Sequence, residues 1–141
     1  MRKIIFSLAA LALLLAFTAG SQTPAVAKHR VVFQLTESEG PAWGSLVLHV
    51  NNMRKAFAAD GGSQVEVVFF GPGLNMLRKT NTAYEERLKQ LVDSGVILSA
   101  CQNAMRMMNV KTEDLFPFAG QVDSGIAELV RKQEAGWSYI H

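Results

Sequence analysis

Gly95-Val96-Ile97-Leu98-Ser99-Ala100-Cys101-Gln102-Asn103-Ala104-Met105 joins two kinds of local pattern at a single residue. Val96 to Ala100 is an apolar run with the length of a strand covered on both faces, and Gln102 to Met105 has the make-up of a short helix. Cys101 therefore sits where a buried strand ends and a helix begins. In open α/β sheets, ligands and reactive groups gather outside the carboxyl ends of the strands. A thiol at a helix N-terminus also has its anionic form favoured by free backbone N–H groups and by the helix dipole. Cys101 is the one cysteine of the chain. It has no partner for an internal disulfide, and is either a small buried hydrophobe or a reactive group.

On both sides of this junction strand and helix signals alternate. Val31 to Leu35 is a β-rich run ending in the polar loop Thr36 to Gly40. Pro41 suits the first turn of a helix, and Leu46, Val50, Met53 and Phe57 follow at helical spacing, with Trp43 and Val47 widening the stripe. Asp60-Gly61-Gly62 stops it. Val65 to Phe70 is a second apolar strand, and Gly71-Pro72-Gly73 turns the chain into a short segment, Leu74 to Lys79. Thr82 and Glu85 predict a capping box for a helix carrying Tyr84, Leu88, Leu91 and Val92 on one face, with Gly95 at its end. After Cys101 a helix runs to about Met108. Residues 109–118 are irregular, with Pro117 as a breaker, and Ala119 to Val122 is a short extended piece. A last helix begins at Asp123 or Ser124, carries Ile126, Leu129 and Val130, and closes at Gly136. Trp137 to Ile140 reads as a closing strand. This alternation predicts an α/β domain with a mostly parallel sheet of four or five strands and helices on both faces.

The N-terminal stretch has a different character. Arg2 and Lys3 precede an uncharged, mostly apolar run from Ile4 to Phe17, followed by small residues and Pro24. At about 1.5 Å per residue that run is shorter than the roughly 30 Å of a membrane span. Residues 1–27 read as a secretory signal peptide cleaved between 20 and 27, leaving a single domain, 28–141, that is periplasmic or secreted and has no membrane anchor. The competing reading is an uncleaved anchor. No cysteine lies at the cleavage region, which argues against a lipoprotein. Two of the 14 basic residues, Arg2 and Lys3, leave with the leader, and the remainder matches the 12 acidic ones. The near-neutral domain gives no support for nucleic-acid binding.

Several other residues invite a chemical reading. Met105 and Met108 share a helical face with Cys101, and one thiolate with two thioethers is a soft ligand set suited to copper(I). Methionines at helical spacing are more often core filler, so no metal is expected. Gly71-Pro72-Gly73 could present backbone N–H groups to a neighbour, but Met76 stands where a dinucleotide fingerprint needs its third glycine, and no cofactor is expected. His29, His49 and His141 are scattered, with neither metal spacing nor a Cys-His pair. Glu37 and Glu39 follow the first strand and would lie near Cys101 if that strand neighboured the one ending at Cys101.

Three ordered motifs carry a resemblance. Val67-Val68-Phe69-Phe70-Gly71-Pro72-Gly73-Leu74, then Gly95-Val96 leading to Ala100-Cys101-Gln102-Asn103, and finally Arg131-Lys132-Gln133-Glu134-Ala135-Gly136-Trp137-Ser138-Tyr139-Ile140 resemble the DsrE/DsrF-like family, which includes YchN-like proteins and subunits of bacterial sulfur-relay complexes. The resemblance implies a three-layer α/β/α sandwich assembling as a homotrimer or homohexamer. It also implies a cysteine that accepts sulfur as a persulfide and passes it to a partner thiol. The matching residue is Cys101, with Gln102, Asn103, Gly71, Pro72 and Gly73 around it, and with Trp43, Trp137 and Tyr139 as candidate interface contacts. Phe70 stands where many relatives have a histidine, and the export signal sets the chain apart from cytoplasmic sulfur-relay members. The expected function is an exported, sulfurtransferase-like sulfur carrier. The alternative is a non-catalytic oligomeric binding or scaffold protein with a buried structural cysteine.

Overall fold

The computed structural model describes residues 27–141. The signal-peptide reading, apart from Ala27, lies outside the described residues. Nine regular elements alternate: β1 (His29–Leu35), α1 (Pro41–Phe57), β2 (Ser63–Phe69), α2 (Thr82–Asp93), β3 (Ile97–Cys101), α3 (Gln102–Met107), β4 (Gly120–Val122), α4 (Gly125–Glu134) and β5 (Ser138–Ile140). The five strands form one sheet in the order β4-β3-β2-β1-β5, and every neighbouring pair is parallel. The expected α/β architecture is thus present, at the upper of the two strand counts.

The order of strands explains the layers. From β1 to β4 the chain steps one strand at a time in one direction. It then returns across the whole sheet to place β5 beside β1. A right-handed crossover in the reverse direction must use the opposite face of the sheet. Accordingly α1 and α2 bury Trp43, Leu46, Val50, Leu88 and Leu91 in a large core with Phe33, Val67, Phe69 and Leu98. The other face is covered by α4, over a small cluster of Val32, Val68, Leu129 and Trp137. Among the described residues no helix is long and apolar enough to cross a membrane.

Two local expectations change. The Thr82–Glu85 capping box does not form, because Thr82 is already helical and Asn81 holds the cap position without a side-chain cap bond. The Asn81 side chain instead donates to the Asn75 carbonyl at 2.8 Å and ties the helix start to the preceding turn. Gly71–Leu77 is a 3₁₀ turn pressed onto the end of β1. Gly71 has a φ of 53°, and a Cβ at Gly73 would lie 2.3 Å from the Leu35 carbonyl oxygen. The Gly73 N–H donates to the Thr36 carbonyl at 3.1 Å, so it is spent inside the fold rather than offered to a neighbour.

Trp43 is corrected as an interface candidate. It is fully buried, its indole N–H donates to the Glu37 carbonyl at 2.9 Å, and its ring meets Tyr84 edge-on. A buried indole needs such a partner, and this one is spent within the subunit. Trp137 is buried as well, under the Lys132 ammonium, which leaves Tyr139 as the exposed member of the three.

Candidate functional site

Cys101 is the last residue of β3 and the N-cap of α3. Its sulfur accepts the Ala104 N–H at 3.4 Å, as a capping side chain does for one of the unsatisfied donors of a helix start. The same sulfur accepts the Gly125 N–H of α4 at 3.1 Å, from the opposite face of the sheet. One sulfur atom thus caps two helices. Both donors are backbone N–H groups at helix starts, the positive ends of the helix dipoles. The α4 start is otherwise capped by Ser124, whose hydroxyl accepts the Ala127 N–H at 3.4 Å.

Close approach of α4 depends on a missing side chain. A Cβ at Gly125 would lie 2.8 Å from Phe70 Cδ1 and 3.3 Å from Phe70 Cβ. Only glycine lets this helix start rest against the end of β2 and reach the sulfur. Phe70 is therefore a steric wall of the site.

Cys101 lines a cavity of about 240 Å³ at the carboxyl end of the sheet. Its walls are mainly apolar, from Phe70, Met107, Met108 and Ile126, with Asn103 and Ser124 as the polar side chains. No titratable side chain other than Cys101 lines it among the described residues. Cys101 is only 4% exposed, so a reagent must be small or enter the cavity end-on.

The expected site residues divide clearly. Gly71 and Asn103 line the cavity with Cys101. Gln102 turns away toward Gln121, its amide donating at 3.3 Å, and Pro72 and Gly73 do not line the cavity. Met108 lines it, but Met105 is packed in the large core. The three residues of the copper(I) alternative therefore share no cavity wall, and that reading loses a ligand. Glu37 and Glu39 are not beside Cys101, because β2 separates β1 from β3. Glu37 instead lines a groove of about 180 Å³ with His49 and His141. Among the described residues no group of three His, Cys, Asp or Glu is arranged to hold a metal ion.

Met107, Ser124, Gly125 and Ile126 enter the site without having been singled out for it, and Phe70, which stands where many relatives have a histidine, forms its wall. Ser124 is recognisable as a helix start, but only the pairing of β4 with β3, with Val122 opposite Cys101, brings that start to the thiol. Just before it, Arg131 donates to both Asp123 carboxylate oxygens, at 2.9 and 2.8 Å, and pairs with Glu128 at 2.9 Å. The hydrogen bond from Arg131 holds the Asp123 carboxyl below the usual aspartate range, helped by the backbone N–H of Ser124. Donating to Asp123 raises Arg131 in turn.

This is a parallel α/β/α sandwich with a single thiol at the carboxyl end of its sheet, held between two helix starts. The chain belongs to the DsrE/DsrF-like family, whose model matches residues 29–141. Among solved structures, it is similar to a protein of unknown function from Methanobacterium thermoautotrophicum, with 32% identity and a TM-score of 0.69, covering 79% of this chain and 97% of that one. The fold is shared with a conserved protein of unknown function from Bacteroides thetaiotaomicron, at 12% identity and a TM-score of 0.63, covering 79% of this chain and 92% of that one. It is also shared with the YchN protein from E. coli, at 9% identity and a TM-score of 0.64, covering 82% of this chain and 98% of that one. No curated protein sequence matches the chain.

Proposed function

We propose that this protein is an exported sulfur carrier in which Cys101 accepts sulfane sulfur and relays it to a partner thiol. The observation that carries this reading is the pair of backbone N–H groups, from Ala104 and Gly125, directed at one sulfur beside an open cavity. Membership of a family associated with sulfur relay supports it.

In the loading step the Cys101 thiolate attacks the terminal sulfur of a small persulfide, R–S–SH. A bond forms between Sγ and the transferred sulfur, the R–S–S link breaks, and its electron pair leaves on R–S⁻. Cys101 then carries –S–SH, and no external oxidant is needed. In the relay step an acceptor thiolate attacks that outer sulfur and the Cys101 thiolate is regenerated. Both steps are thiolate attacks on a sulfur–sulfur bond, with rates set by ionisation and access. The apolar cavity keeps competing water from the outer sulfur and admits a narrow donor.

A single N-terminal leader, removed between 20 and 27, would deliver the protein to the periplasm or the exterior. Exposed apolar side chains suit assembly with further copies: Ile126 and Val130 stand one turn apart on α4, and Tyr139 and Ile140 lie on the edge strand β5. Assembly there would bring a second copy close to the mouth of the cavity, where Ile126 is a wall.

The competing reading, an oligomeric scaffold with a structural cysteine, draws on the 4% exposure of Cys101. Intact-mass measurement separates the two. Glutathione persulfide should add one sulfur to the wild-type protein and none to Cys101→Ser. A protein that gains no sulfur under these conditions, and whose thiol resists iodoacetamide while folded, is the scaffold.

A further inference from the structure

Glu66 is the one buried charged side chain among the described residues, 2% exposed in the middle of β2. One of its carboxylate oxygens accepts the Ser99 hydroxyl at 2.6 Å, and the other lies 2.5 Å from the Lys132 ammonium of α4. Lys132 also lies 3.5 Å from a Glu128 oxygen and 4.3 Å above the centre of the Trp137 ring. We infer that this Glu66–Lys132 pair is a positioning device, which holds α4 where its Gly125 N–H meets the Cys101 sulfur. The inference rests on the reading of Cys101 as a reactive thiolate.

Energetics favours position over stability as its role. A buried ion pair roughly breaks even against apolar side chains of similar volume, because desolvation of both charges offsets their attraction. An apolar pair would hold α4 to the sheet at least as strongly. What the charged pair adds is a distance-dependent attraction between one point on β2 and one point on α4. The apolar contact on this face is small, with Leu129 of α4 meeting Val32, Val68 and Trp137. Apolar contacts of this kind tolerate sliding along the helix axis, whereas a hydrogen-bonded pair does not.

The connections close into a ring through the cysteine. Ser99 lies two residues before Cys101 on β3, on the same face of the strand and about 7 Å away along it. Lys132 lies seven residues after Gly125 on α4, two turns on and about 10 Å away along the same face. Ser99 bonds Glu66, Glu66 bonds Lys132, α4 carries Lys132 back to Gly125, and Gly125 donates to Cys101. Phe70 limits the helix at the Gly125 end. The helix is thus located at both ends relative to the strand that bears the thiol.

The test is the pH profile of Cys101 alkylation by iodoacetamide in the full chain. The plateau at high pH reports access to the thiol, while the position of the rise reports how well the site stabilises the thiolate. Because no other titratable side chain lines the cavity, the rise belongs to Cys101. Lys132→Met alone leaves a buried carboxylate unpaired and can unfold the protein, so the informative variant is the neutral pair Glu66→Gln with Lys132→Met. Its profile should move toward alkaline pH, lowering the rate at pH 7 about tenfold relative to its own plateau, the cost of a weakened hydrogen bond to a charged group. Glu66→Gln alone should move it the same way by less. Leu88→Ala, a cavity on the far face, should lower stability without moving it. An unmoved profile in the folded neutral pair overturns the inference. Persulfide loading of the wild type is measured alongside. If the profile moves but no sulfur loads, the carrier reading fails and the positioning role stands; if sulfur loads and the profile is unmoved, the positioning role fails alone.

Discussion

Gly125→Ala tests the contact between α4 and the thiol with a single methyl group. The added Cβ falls 2.8 Å from Phe70 Cδ1, 3.1 Å from Cγ and 3.3 Å from Cβ. Contacts this near the root of the ring are not relieved by rotating its far edge, so α4 must back away by several tenths of an ångström. Alanine in place of glycine inside a helix returns up to about 1 kcal/mol of propensity. Overpacking costs about 1–3 kcal/mol, so with that return the variant should be less stable by about 0–2 kcal/mol. The thiol reports more sharply than the melt. Lengthening the 3.1 Å Gly125 N–H···Sγ contact weakens a hydrogen bond to a charged acceptor. Such bonds contribute about 1.5–3 kcal/mol, and losing half of one slows Cys101 alkylation near neutral pH by about three- to tenfold relative to its plateau. Phe70→Val on the same background removes the obstructing ring and should restore both stability and the alkylation profile, giving a coupling energy of about 1 kcal/mol or more in the double-mutant cycle. A Gly125→Ala protein with wild-type alkylation, or a cycle in which the two effects simply add, would refute the steric argument.

Gly73→Ala should be far more damaging, since its Cβ meets backbone rather than side chain, at 2.3 Å from the Leu35 carbonyl oxygen; loss of the folded circular-dichroism spectrum or of soluble protein is the expected outcome. Asp123 gives a pH prediction whose sign follows from its lowered carboxyl. Its contribution is present above the ordinary aspartate value of 3.8 and is lost as pH falls through the depressed value, so melts of wild type and Asp123→Asn should converge only in strong acid. The effect should be small, because the pair with Arg131 is exposed. Ile126→Asp with Val130→Asp, on the exposed stripe of α4, should shift an oligomer toward monomer in light scattering while leaving the helix content unchanged.

Much of the fold is legible because buried parallel strands are written as apolar runs. Val31 to Leu35, Val65 to Phe70 and Val96 to Ala100 each stand out against helices with a one-sided stripe, and the strands fall within two residues of those runs. Strand order is not written locally. The order β4-β3-β2-β1 puts β2 between Glu37 and Cys101, and the pairing of β4 with β3, which sets Val122 opposite Cys101, brings the start of α4 to a thiol 24 residues earlier in the chain. Gly125 has no local mark, since its reason is the ring of Phe70, brought to it by tertiary packing. Trp43 illustrates the reverse error. A large aromatic on the helix stripe suits an interface or a core equally well, and the Glu37 carbonyl that satisfies its N–H decides for the core. Glu66 sits inside an apolar run as an apparent misfit, and the partner that explains it, Lys132, lies on the last helix.

As a sulfur carrier, Cys101 should take up one sulfur and give it back. A pulse of glutathione persulfide, removal of the donor, and a chase with excess thiol, followed by peptide-resolved mass spectrometry, tests it directly. One added sulfur is expected on the peptide carrying Cys101 after the pulse, and an unmodified peptide, with persulfide on the acceptor, after the chase. A Cys101 peptide that stays unmodified while the donor remains intact would contradict it.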